Sequence, residues 1–322
     1  MKLKTTGPFF IAIAAILWGL DGILRRSLFT LPPITIVFYE HFIGTLIIFP
    51  FLLPALRKKA VSPRHFGSLL WISFLSSLLG TLWFTTALTK VGFISFSVVF
   101  LLQKLQPIFA VSAATLILKE KITPAYLKWA ALALAAAYFV TFPGGQVNLQ
   151  TGNQTALAAL FAVGAAFAWG SSTAFSRFTL LEYSQTTVTG LRFLLTTIMA
   201  FFAVFILGQS PSLSAPSTSQ LGRLLLISLS TGLVALWIYY KGLKLTQAKV
   251  ATIIELLFPL TAVLIDIFLY KNVLALSQYL AAAALFFAVY QVSRLNRVKS
   301  KKPKGWRAQG VPRRAPAVLK RA

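Results

Sequence analysis

The pentapeptide Ala15-Ile16-Leu17-Trp18-Gly19 returns 151 residues on as Ala166-Phe167-Ala168-Trp169-Gly170. At the same offset Arg26 meets Arg177, Phe42 meets Phe193 and Thr45 meets Thr196. At 152 residues Pro107 falls on Pro259 and Lys119 on Lys271, and at 154 Trp83 falls on Trp237. The chain is therefore one pattern written twice with small insertions between the anchors. Each copy holds five apolar stretches of about twenty residues, the length that crosses a bilayer as a helix. Five is odd, so the second copy enters from the opposite side and the repeat is inverted. Inverted repeats with a binding site near the midplane recur among secondary transporters.

The ten expected spans are 8–29, 34–56, 66–88, 93–118 and 124–142, then 155–178, 185–207, 221–243, 250–270 and 277–292. The organisation that follows is a first five-helix repeat over 1–142, a polar connector over 143–154, a second repeat over 155–295 and a basic tail over 296–322. The fold class is an all-α integral membrane protein of ten transmembrane helices. Composition agrees, with 57% apolar and only 11% charged residues against about a quarter charged in soluble chains. The run 9–20 after Lys2 and Lys4 reads as a retained first helix, because it exceeds signal-peptide length and lacks a small-residue cleavage site.

The net charge of +25 is a matter of location. Eleven of the 31 Lys and Arg follow Ser293, and most others sit in short loops. With the N-terminus in the cytoplasm, the inner loops hold Arg57, Lys58, Lys59, Arg64, Lys119, Lys121, Arg177, Lys241, Lys244 and Lys249. The outer side then holds Arg25, Arg26, Lys90, Arg223 and Lys271. That bias places both termini in the cytoplasm and the protein in the plasma (inner) membrane. The tail, poor in apolar residues, is expected to be disordered and to touch anionic lipid. No nucleic-acid partner is expected, since no fold or aromatic interleaving accompanies the charge. With no cysteine, no metal-ligand cluster and no GxxxxGK[ST], HExxH or GxSxG pattern, neither a cofactor nor a metal nor enzymatic activity is expected.

The Trp-Gly openings, the two five-helix repeats, the prolines of the fourth and ninth helices and Lys119-Glu120 closing the fourth resemble the EamA-type branch of the drug/metabolite transporter superfamily. The resemblance spans roughly 8–295 and departs at Tyr270-Lys271-Asn272, where that family often has an acidic residue like Glu120. It implies a transporter of small metabolites, amino acids, amphiphiles or phosphorylated sugars.

Two proline-bearing motifs carry the candidate site: Leu102-Gln103-Lys104-Leu105-Gln106-Pro107 and Ile254-Glu255-Leu256-Leu257-Phe258-Pro259. Proline has no N–H, so a helix kinked at Pro107 or Pro259 frees the carbonyl of Gln103 or Glu255. An ionisable side chain beside a freed acceptor is costly in hydrocarbon and persists where it faces protein or a wet cavity. Lys104, about 16 Å into its helix, with Ser97 two turns away, either binds a substrate anion or pairs with a neighbouring helix. Glu255 is a partner for Lys104, a site for an amine, a proton carrier or a partner for Lys249. Gln103 and Gln106 either contact substrate or satisfy each other.

Trp18, Trp83, Trp169 and Trp237 are candidate cavity walls for an organic ring, or packing groups. Asp21 and Arg25, spaced i,i+4, read first as a structural ion pair, with gating or coupling as the alternative. Glu40, His41 and its repeat mate Arg192 are gating candidates, or a satisfied pair with Arg192 against headgroups or another helix. Ala162, Ala166, Gly170 and Ala174 form a small face for close helix packing.

The function expected is export of a small polar or amphiphilic metabolite, amino acids foremost, by alternating access. Exchange of phosphorylated metabolites, with Lys104 and Arg192 gripping phosphate, and a non-transporting receptor or scaffold are the alternatives. The partners are a small-molecule substrate and the lipid bilayer, and no residue pattern specifies an oligomeric state.

Overall fold

The computed structural model describes residues 3–26, 28–90, 102–146, 155–214, 216–258, 260–261, 268 and 275–296. Pro259, Ser97, the motif Tyr270-Lys271-Asn272, the start of the fourth span, most of the connector and the tail beyond Asn296 lie outside them.

The described residues supply helix to all ten spans. α1 is Leu3–Gly19 continued by Asp21–Arg26, α2 is Pro33–Lys58 and α3 is Pro63–Lys90. α4 is described as Gln106–Leu118, followed by α5, Pro124–Thr141. The second copy gives α6, Thr155–Leu180; α7, Gln185–Ile206; α8, Thr218–Lys244; α9, Ala248–Ile254 with a 3-10 turn at Glu255–Leu257; and α10, Leu276–Arg294. Six of these are individually long and apolar enough to cross a bilayer. Large apolar side chains face outward along the helices, Ile206, Leu116, Phe51 and Leu160 among the most exposed. On a water-facing surface such a girdle would aggregate, whereas in lipid it costs nothing.

Packing follows the inverted symmetry. α2 lies along α7 and α5 along α10, each pairing a helix with its own repeat mate. α1 packs on α8 as α6 packs on α3, and α4 packs on α6 as α9 packs on α1. The Trp-Gly motif makes the last pair possible. A Cβ on Gly170 would lie 2.9 Å from Cβ of Phe109, and one on Gly19 would lie 2.3 Å from Cβ of Thr261. Phe109 and Thr261 are themselves 152 residues apart, so the two glycines admit equivalent helices at equivalent points. The small face of α6 is a packing face.

Three elements differ from the continuous helices expected. The first span breaks at Leu20, between Gly19 and a short helix that begins at Asp21. Pro107 sits in the first turn of α4 rather than kinking a helix: residues 102–103 are helical, 104–105 form a turn, and the helix restarts at Gln106. A first-turn proline loses nothing, because its missing N–H would have no intrahelical acceptor. Finally, α3 and α8 each contain a π-helical stretch, Ile72–Gly80 and Ser228–Gly232, at corresponding places in the two repeats. π-Segments are rare and cluster at functional sites.

Candidate substrate cavity

A cavity of about 250 Å³ lies among α1–α4 and α6–α9, four helices from each repeat, while α5 and α10 contribute no lining residue. Its apolar walls are Trp18, Phe84, Trp169, Phe193, Tyr239 and Phe258, and its polar lining includes Asp21, Arg25, Glu40, His41, Ser76, Ser77, Lys104, Arg192, Thr252 and Glu255.

The two proline-bearing motifs meet here. Gln106 Nε2 donates to Glu255 Oε2 at 3.0 Å, and the Lys104 ammonium nitrogen lies 4.9 Å from the centre of the Phe258 ring. Glu255 is not the ion-pair partner of Lys104 or of Lys249: its second oxygen accepts from the Tyr239 hydroxyl at 2.6 Å, and it belongs to no salt bridge among the described residues. Lys104 Nζ is buried and has no hydrogen-bond acceptor among the described residues. Gln103 also lines the cavity and donates to the Ala162 carbonyl at 2.8 Å, fastening the end of its helix to α6.

The acids of the first repeat are tied. Arg25 pairs with Asp21 on its own short helix and with Glu40 on α2, through Nη2 at 2.7 Å. Thr231, in the π-segment of α8, donates to Asp21 at 2.6 Å. At the repeat-related place Ser172, the mate of Asp21, bonds Ser76 in the π-segment of α3 at 3.0 Å. The π-segments also brace the paired helices, since Ser228 donates to the Glu40 carbonyl and Ser73 to that of Arg192. Frame and hydroxyls thus repeat, and the charges do not.

His41 does not bond Glu40; its Nδ1 meets the Val37 carbonyl at 2.8 Å and its ring packs against Phe193. Arg192 faces the interior and not lipid headgroups. Its Nε bonds Ser77, its Nη1 donates to Tyr240 at 2.6 Å and its Nη2 to Ser76 at 2.9 Å.

The four tryptophans divide. Trp18 lines the cavity with its ring 5.1 Å from that of Tyr239, and Trp169 lines it while donating to the Ser76 carbonyl. Trp83 packs over Gly164 and Trp237 bonds Thr186, both away from the cavity.

Sequence reading did not single out Tyr239, Thr252, Phe258, Ser76, Ser77 or Thr231. Hydroxyls and rings are cheap in apolar helices, so composition gives them no contrast; a Ser-Ser pair matched by Ser-Thr at the second copy's equivalent place was the available signal.

One further cluster closes the far end of α4. Lys119 adopts a left-handed conformation (φ 53°) that ends the helix and turns Glu120 toward α9. Both Glu120 oxygens cap that helix, accepting from the Ala248 and Lys249 amides at 2.9 and 3.1 Å, and Arg177 pairs with the same carboxylate at 3.3 Å.

Comparisons with known proteins agree with this architecture. Residues 5–142 and 156–294 each match the model of the EamA-like transporter family. The riboflavin transporter ImpX of Fusobacterium nucleatum subsp. nucleatum is 36% identical over 305 residues, covering 90% of this chain and 98% of its own. A solved structure described only as "Crystal structure of protein" superposes with a TM-score of 0.69 at 16% identity, covering 91% of this chain and 98% of its own, which speaks for the fold alone.

Proposed function

Since the chain belongs to the EamA-like transporter family, we propose that it carries riboflavin or a similar neutral, ring-bearing heterocycle across the membrane. The observation that carries the substrate class is the near full-length likeness to a riboflavin transporter. The cavity supports it on two grounds. Its walls are aromatic, which suits stacking on a flat fused ring. Its formal charges balance among the described lining residues, three basic (Arg25, Lys104, Arg192) against three acidic (Asp21, Glu40, Glu255), which suits a substrate without net charge.

Amino acids, the class expected from the sequence, fit less well. A zwitterion needs an available carboxylate for its ammonium, yet Glu255 is held by Tyr239 and Gln106 and the other two acids by Arg25. Phosphorylated metabolites would be met by Lys104 without Arg192, because each guanidinium nitrogen of Arg192 already has a hydroxyl partner.

In this reading Trp18, Trp169, Tyr239 and Phe258 flank the ring, and residues 1–142 and 155–295 rock about the cavity to expose it alternately. Residues 143–154 join them, and both termini, with the tail 296–322, face the cytoplasm of the plasma membrane. Proteoliposomes loaded with riboflavin on one side, read by flavin fluorescence, test the proposal in both directions. Saturable flux that excess alanine and inorganic phosphate leave unchanged is expected. Saturable binding without flux would make the protein a receptor, and flux of amino acids without riboflavin would overturn the substrate.

A further inference from the structure

Buried polar groups in folded proteins almost always have partners, so the exceptions carry information. Among the described residues, six buried side chains hold a nitrogen or oxygen without one: Arg25 at Nη1, Lys104 at Nζ, and the hydroxyls of Thr85, Thr189, Thr246 and Thr252. Both nitrogens belong to cavity-lining residues, and so does one of the hydroxyls, that of Thr252. The three residues border the cavity from α1, the turn before α4, and α9. Thr252 lies three residues before Glu255, hence on the same face of α9.

Among the described residues, five of the six carboxylate oxygens of the same cavity are in the opposite condition. Glu255 and Asp21 each receive donors on both oxygens, and Glu40 receives Arg25. What remains is a surplus of N–H and O–H groups. An unmet donor sealed from water is expensive, and a ligand that supplies acceptors recovers that cost on binding. A ligand offering only N–H groups could use the Thr252 hydroxyl and the second Glu40 oxygen but leaves both nitrogens unmet.

We propose that Lys104, Thr252 and Nη1 of Arg25 form a hydrogen-bond-donating edge that reads the acceptor side of the substrate, with Lys104 and Thr252 setting specificity. The inference rests on the flavin reading above and deepens it. A flavin presents two ring carbonyls and two unprotonated ring nitrogens along its polar side, and its sugar-alcohol chain adds hydroxyl oxygens. The aromatic residues then hold the faces of the ring while the donors hold its rim.

A role in substrate reading also separates itself from a structural one. Lys104 Nζ makes no hydrogen bond among the described residues, so replacing it with methionine removes a desolvated cationic group and keeps the packing volume. Lys104→Met is expected to melt at or above the temperature of the unsubstituted protein while binding riboflavin about tenfold or more weakly. Thr252→Val, which keeps shape and loses only the hydroxyl, is expected to weaken riboflavin severalfold. It is expected to leave the binding of 5-deazariboflavin, which lacks one ring-nitrogen acceptor, less affected than that of riboflavin if Thr252 reads that nitrogen, and equally affected if it reads a carbonyl.

The test is equilibrium binding of riboflavin to the full chain in detergent, followed by flavin fluorescence, with thermal melts alongside. Weakened binding by folded Lys104→Met and Thr252→Val proteins supports the donor edge. Unchanged binding by both overturns the edge and leaves the flavin reading standing. A lower melting temperature for Lys104→Met in step with its lost binding assigns the lysine to structure and overturns its role. No riboflavin binding by the unsubstituted chain overturns the flavin reading and this inference together.

Discussion

Gln106 donates to Glu255 across 3.0 Å, joining the start of α4 to the 3-10 turn of α9 at the centre of the molecule. Gln106 and Phe258 are repeat mates, as are Gln103 and Glu255, so this bond crosses between the two copies of one motif. Its partner across the pseudosymmetry would be Gln103 with Phe258, which cannot form the same bond. The junction is symmetric in backbone and asymmetric in chemistry.

That junction depends on Tyr239 as much as on Gln106, because each supplies one of the two donors to a half-buried carboxylate. Tyr239→Phe keeps the ring against Trp18 and removes only the hydroxyl. A carboxylate oxygen left without a donor costs about 1–3 kcal/mol. The melting temperature in detergent should fall for Tyr239→Phe and again for Gln106→Leu. If both proteins melt unchanged, Glu255 is not held as described.

The tryptophans offer a spectroscopic check of the cavity. Trp18 and Trp169 border it, whereas Trp83 and Trp237 pack elsewhere. A bound flavin should quench the fluorescence of the nearer pair most. Trp18→Phe and Trp169→Phe should each remove a substantial share of the quenching that riboflavin causes, and Trp83→Phe and Trp237→Phe should remove little. Equal loss from all four would mean that the ring binds elsewhere.

The sequence made the frame legible because repetition and hydrophobic length survive without side-chain detail: Trp-Gly, Arg, Phe and Pro in register gave ten helices and an inverted pair of repeats. It also marked Lys104, Glu255, Asp21, Arg25 and Arg192, since charge in an apolar run is conspicuous. Partners were harder. Nothing in the spacing tells that Glu255 meets Tyr239 and Gln106, or that Arg192 turns inward to serines, because those contacts join segments tens to more than a hundred residues apart. The π-segments of α3 and α8 were invisible for another reason: they add one residue per turn to a helix of unchanged composition.

The two ion pairs of α6 and its following turn should differ sharply in worth. Glu120 and Arg177 are both buried, and Glu120 also caps α9. Glu182 and Lys59, at 3.6 Å, are about half exposed. Removing one partner of a buried pair costs about 3–5 kcal/mol, and an exposed pair contributes about 0–1 kcal/mol. Glu120→Ala should lower the melting temperature markedly and Glu182→Ala barely. The chain has no cysteine, so a single Cys placed at Ala248 can report on the cap. Its labelling by a water-soluble maleimide should rise when Glu120 is replaced, and unchanged labelling would sink the capping role.

The Trp-Gly glycines make the most discriminating test of the inverted packing. The three atoms nearest to a methyl group on Gly19 would all belong to the side chain of Thr261, its Cβ, Cγ2 and Oγ1, all within 2.9 Å. A methyl group on Gly170 would meet the backbone carbonyl of Gln106 at 2.6 Å as well as Cβ of Phe109. Overpacking of this kind costs about 1–3 kcal/mol, so both Gly19→Ala and Gly170→Ala should lower the melting temperature. The two should part company on rescue. Thr261→Gly removes the three nearest atoms that obstruct Gly19→Ala, and the double variant should recover much of the loss, a coupling of about 0.5–3 kcal/mol for residues in contact. Phe109→Gly leaves the Gln106 carbonyl in place, so it should not rescue Gly170→Ala. Gly67 and Gly222, whose added methyl groups meet nothing within 4 Å, serve as controls that should show no such loss from crowding. Equal rescue at both sites would mean that α4 does not approach α6 through its backbone.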